Sequence, residues 1–205
     1  RRSGNDPLPA GPELCNGRLW RDVYVSVRED QFLFTKDFLP GTVSFNGNIY
    51  KGVRVRYDIF LDEMQLLTEN GKILQINKEM TDEFTLEYNG REFRFCKPGI
   101  SDLQQVSGFV DIRYDGKTAF IVKHKKEISK AAPGKSYENF VQTDHFYALI
   151  DSVPHRIRSK RDLFSLLGER KEQVTVFMKQ NRIKVNIKIP DTIVPVLRYY
   201  DSIEK

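Results

Sequence analysis

This chain of 205 residues is poor in the residues that usually declare a chemistry: two cysteines, one tryptophan, three histidines and three methionines. Two cysteines are too few for a fold held by a disulfide framework. Cys15 and Cys96 could pair with each other in an exported protein, closing a long loop; two unrelated thiols are the competing reading. His124, His145 and His155 stand in separate segments, without a cysteine or carboxylate at zinc-site spacing, so no metal centre is expected. A phosphate-binding loop, a dinucleotide fingerprint and the serine elbow of hydrolases are all missing, and no cofactor is expected. Cys96 lacks both a visible third member of a nucleophilic site and oxyanion donors. No apolar run approaches the roughly twenty residues that a membrane-spanning helix needs. Recognised RNA-binding aromatic motifs are also lacking, which disfavours a nucleic-acid partner.

The bulk composition, with 40% hydrophobic and 30% charged residues, is that of a folded protein. Most of the aromatic share comes from 14 phenylalanines and nine tyrosines, which favour strands. Residues 1–12 are rich in glycine, proline and small polar residues and read as part of a flexible leader over residues 1–22. The start at Arg1 rather than Met leads to the expectation that a preceding segment has been removed.

Four turn dipeptides organise the middle of the chain: Asn46-Gly47, Asn70-Gly71, Asn89-Gly90 and Asp115-Gly116. Each separates two runs of strand-like residues, and each suits a two-residue turn with positive φ. Together they predict an antiparallel meander over residues 23–158. Alternation assigns faces: Val53, Val55 and Tyr57 to a dry side, and Arg54, Arg56 and Asp58 to a wet one. Residues 125–140 read as a polar surface loop around Pro133-Gly134. A last strand pair is expected over 144–150 and 156–158.

The period then changes. Ser159 can cap a helix with Asp162 at its third position, carrying Leu163, Phe164, Leu166 and Leu167 and ending at Gly168. A second helix is predicted over 169–180. A third is predicted to be capped by Asp191, with Pro195 in its first turn. The fold class is therefore α+β, mainly β: a meander forming a sandwich, curled sheet or barrel, with a helical part over 159–205 packed on it.

Three segments carry a resemblance: residues 41–58 (GTVSFNGNIYKGVRVRYD), residues 108–117 (GFVDIRYDGK), and the ending at 177–184 (FMKQNRIK) and 197–203 (LRYYDSI). Together they resemble a group of exported β-rich proteins common in the Bacteroidota, over most of the chain from about residue 30. The group has no established activity to carry over. What the resemblance implies is export, to the periplasm or the outer membrane.

Charge is uneven. Residues 117–188 hold 16 lysines and arginines against seven acidic residues, while the whole chain carries a net charge of +5. Lys123, Lys125 and Lys126, with Arg156, Arg158, Lys160 and Arg161, make up a candidate partner-binding surface for an acidic protein face or anionic headgroups. The expected role is a non-catalytic interaction or accessory subunit of the cell envelope with a protein partner. The alternatives are a β-structure binding an apolar or glycan ligand and, third, a hydrolase built on Asp58, Asp62 and a histidine. Whether the chain is an enzyme stays open, with the balance against it.

Overall fold

The structure is a computed structural model, and it describes residues 11, 13–15, 17–98, 106–130, 137–151 and 153–203. Most of the expected leader and residues 131–136 of the expected loop lie outside the described residues. The chain divides into two compact units: Arg1–Lys97 with His124–Thr143, and Pro98–Lys123 with Asp144–Lys205.

The first unit holds β1 (Arg18–Leu19), β2 (Leu39–Phe45), β3 (Asn48–Asp58), β4 (Glu63–Leu67), β5 (Ile73–Gln75), β6 (Thr81–Tyr88) and β7 (Arg91–Cys96). Their hydrogen-bonded order is β1-β5-β4-β3-β2-β6-β7, antiparallel and not closed. The chain winds outward from β2 to β5, then returns to lay β6 against β2. The second unit holds β8 (Val110–Tyr114) and β11 (Val153–Ile157), while β9 (Ala119–Ser129) and β10 (Asn139–Ile150) contribute residues to both units. The fold is therefore α+β and mainly β, as the turn chemistry predicts.

The turns explain why. Asn46-Gly47 joins Phe45 to its partner Asn48, with φ of 50° and 75°. Asn89-Gly90 joins Tyr88 to Arg91, with φ of 51° and 71°. Both are two-residue turns whose twist suits the paired strands. Asn70-Gly71 works differently. The Gly71 amide bonds the Thr68 carbonyl, and the Thr68 amide bonds the Lys72 carbonyl, so a wider turn closes on Gly71 at φ 77°.

Asp115-Gly116 departs from the expectation. Tyr114 pairs with Phe120, which leaves a longer loop, and Gly116 does not take positive φ. The cause is distant in sequence: the Asp201 carboxylate accepts the Thr118 amide at 3.1 and 3.0 Å and the Tyr114 hydroxyl at 2.9 Å. A Cβ on Gly116 would collide with Tyr114 and Asp201, so the glycine is required by close approach.

In the first unit the core is aromatic. The Phe84 and Phe95 rings stack at 4.8 Å, and Tyr57 meets both edge-on at 5.2 and 5.4 Å. One bulge adjusts this face. Gly41 pairs with Val53 but Thr42 pairs with Lys51, so Gly52, at φ 67°, is the extra residue. The slip lets Tyr50 and Val53, three apart, both face the core.

The helices α1 (Lys160–Leu166), α2 (Lys171–Gln180) and α3 (Val194–Ile203) belong to the second unit. Leu163, Leu167, Val174, Val196 and Leu197 pack there with Phe120, Ala148 and Ile157. Ser159 and Asp162 form the capping box of α1. Asp191 does not cap α3: it sits in a single 3-10 turn, Pro190–Thr192, that precedes the helix. Residues 125–129 are strand rather than loop, because β9 continues to Ser129 and β10 begins at Asn139.

Candidate functional site

The wet face assigned to Arg54, Arg56 and Asp58 is wet only at Arg54. Arg56 is 7% exposed and Asp58 is fully buried. Residues from the N-terminal segment cover them: Trp20, Phe32 and Phe38 place their rings 4.6, 3.8 and 4.4 Å from the Arg56 guanidinium carbon. Arg56 donates Nε to Gln65 Oε1 at 2.8 Å and Nη1 to the Lys36 carbonyl at 2.7 Å. On the neighbouring strands Gln65 pairs with Gln75, whose Oε1 accepts Arg18 Nη2 at 2.6 Å. A row of polar side chains thus crosses four strands, covered by aromatic rings at Arg56 and exposed at Arg18. Burial lowers the Arg56 pKa to about 10, against the pull of Asp58.

Asp58 closes the end of this row. Its Oδ1 accepts the amides of Phe60 and Leu61 at 3.0 and 2.9 Å, an arrangement in which Asp builds its own turn. Burial raises its pKa to about 6; the two amides oppose the shift and Glu63 adds to it. Asp62 is engaged elsewhere, with Lys78 and the Tyr57 hydroxyl. The expected carboxylate pair is thus split between a sealed interior and an ion pair. The groups acting on Asp58 are backbone amides, Glu63 and Gln31, not a histidine. His124 is buried against Phe95, His145 meets Arg156, and His155 is half-buried on β11. Among the described residues no group of three or more His, Cys, Asp or Glu could hold a metal ion.

Not every residue of the candidate basic surface lies at the surface. Lys123 is 3% exposed and donates Nζ to the Phe109 carbonyl at 2.8 Å. Lys126 donates Nζ to the carbonyls of Asp30 and Phe32, both at 2.7 Å, and to Asp30 Oδ1 at 3.2 Å. Both are internal ties that hold loops to β9. Lys125, Arg158, Lys160 and Arg161 are exposed, and Arg156 is half-buried. Cys15 and Cys96 form no disulfide, and both are half-buried. Cys96 pairs with Glu83, one step beyond the Phe84–Phe95 pair, so alternation turns its side chain away from the aromatic face.

A feature that alternation does not reveal is an open backbone edge. β3 is 11 residues long, but β4 pairs only with Arg54–Asp58. Beyond Leu67 the chain turns away to β5. The preceding stretch, residues 48–53, pairs with β2 on one side and with no strand on the other, among the described residues. Phe45 and Asn48 close the tight turn as a hydrogen-bonded pair, so Tyr50 also bonds inward, whereas the N–H and C=O of Ile49 and Lys51 point outward. Beside this edge the strands splay and leave a groove of about 440 Å³ lined by Lys51, Gly52, Val53, Arg54, Leu66, Leu67, Thr68 and Glu69.

Comparison with protein-family models, curated proteins and solved structures finds no match to this chain.

Proposed function

We propose that this chain is a non-catalytic interaction subunit that takes its protein partner by strand addition along the open edge of β3. The observation that carries the reading is the outward-facing backbone of Ile49 and Lys51 beside a groove of about 440 Å³. Unpaired N–H and C=O groups on an edge are a template for another strand. Two further edge strands among the described residues, β1 and β11, are guarded. β1 is two residues long and begins with an arginine, and β11 carries Pro154, His155 and Arg156. Short length, proline and charge are the usual ways of blunting an edge.

The aromatic side chains favour this reading over a ligand-binding cavity, since Tyr57, Phe84 and Phe95 pack on one another. The enclosure of Asp58 and the pairing of Asp62 with Lys78 weigh against a carboxylate hydrolase. The exposed Arg158, Lys160 and Arg161 suit contact with an acidic face or anionic headgroups, as a second and weaker contribution. The sequence resemblance favours the cell envelope, periplasmic or outer-membrane-associated, as the location.

The test uses Lys51→Pro. Its amide faces outward, so proline removes a donor from the edge without breaking the pairing with β2. Size-exclusion chromatography of an intact envelope preparation should place the wild-type chain in a larger assembly and the variant alone, with unchanged circular dichroism. Equal migration of the two chains contradicts the proposal.

A further inference from the structure

We infer that the strand added to β3 is an extended segment of another protein in which an apolar side chain and an acidic side chain alternate with outward-facing positions. The inference rests on the edge reading above and specifies its occupant.

The argument comes from what borders the edge. Ile49 is 40% exposed, and Lys51 and Arg54 are exposed. Alternation puts Ile49 and Lys51 on the face opposite Tyr50, and the bulge at Gly52 brings Arg54 onto that same face. An added strand therefore meets one apolar side chain and then the Lys51 cation, whereas Arg54 already pairs with Leu67 of β4 and donates Nη2 to the Phe38 carbonyl. Directly opposed side chains on one face interact, apolar with apolar and acid with base. Opposite Ile49 the partner needs an apolar residue, and opposite Lys51 an aspartate or glutamate. The end of the added strand meets the tip of the β4–β5 hairpin. There the groove is lined by the buried Val53 and Leu66 and by Thr68 and Glu69. A volume of about 440 Å³ accepts a large apolar or aromatic side chain.

A second copy of this chain fits less well. Antiparallel pairing of two such edges about Tyr50 sets Ile49 of one opposite Lys51 of the other, and the two Lys51 side chains then lie on a diagonal of the same face. Like charges at that spacing oppose association.

The experiment pans a displayed library of random octapeptides against the whole chain, in parallel with Lys51→Pro, and then measures binding of the enriched peptides by fluorescence anisotropy. The account expects enriched peptides with an acidic residue two positions from an apolar one, bound at least tenfold more weakly by Lys51→Glu and not measurably by Lys51→Pro. Circular dichroism confirms that both variants are folded. Enriched peptides that lack acidic residues yet are lost with Lys51→Pro overturn the stated chemistry and leave the edge standing. Peptides bound equally by Lys51→Pro, or a library that yields none, overturn the edge reading as well. Sedimentation showing a dimer of the chain that Lys51→Pro dissociates makes the occupant a second copy and overturns the inference.

Discussion

Asp58 is a carboxyl group placed where charge is costly. With its pKa raised to about 6, the folded chain holds a proton that the unfolded chain releases near pH 4. The folded state therefore binds more protons between these two values, and stability from this group falls as pH rises through that window and stays lower above it. Asp58→Asn keeps the oxygen that accepts the Phe60 and Leu61 amides but carries no charge. The variant is expected to gain roughly 1–3 kcal/mol over the wild type at pH 7.5 and much less at pH 4.5, read by urea denaturation at both values. A gain that does not change with pH contradicts the assignment. Lysines at neighbouring positions should separate just as sharply. Lys126→Met removes the three bonds to Asp30 and Phe32 and should cost about 2–4 kcal/mol. Lys125→Ala, at an exposed position, should stay within about 0.5 kcal/mol of the wild type. The sequence presents Lys123, Lys125 and Lys126 as one cationic run. Nothing in their spacing reveals that the partner of Lys126 is Asp30, 96 positions away, so burial of individual charges was the least legible feature.

At the scale of elements, legibility follows the range of the interactions. Asn46-Gly47 and Asn89-Gly90 are strand reversals because their own backbone preference decides the matter. The capping box at Ser159 and Asp162 was equally readable, since both members lie within one helical turn. Asp115-Gly116 carries the same local signal yet forms a wider loop, because α3 supplies Asp201 to bind it. Asp201→Ala removes the acceptor for the Thr118 amide and the Tyr114 hydroxyl, and it is expected to destabilise the chain by about 1–3 kcal/mol. In native-state hydrogen exchange the Thr118 amide should lose protection more than Ile121, its near neighbour on β9. Equal loss at both amides would show that the clamp is not local. The helical ending departs from its sequence pattern only at boundaries, notably at the Pro190–Thr192 turn, where proline and threonine side-chain bonding favour a 3-10 turn over a cap.

Across the molecule, the meander and the helical end were legible because repeated short-range signals agree with one another. The return of β6 to β2, and with it the unequal lengths of β3 and β4, was not. Strand pairing at that range depends on which surfaces bury each other, and alternation assigns a face without assigning a neighbour. The candidate site shares that cause: an unpaired edge appears only when the register of both flanking strands is known. The most direct measurement is residue-resolved amide hydrogen exchange across β3 in the isolated chain. The account predicts fast exchange at Ile49 and Lys51, with strong protection at Tyr50 between them and at Arg56 further along, as a strand bonded on one side requires. Protection at Ile49 and Lys51 equal to that at Tyr50 would mean the edge is already occupied, and the proposed mode of partner binding would fail.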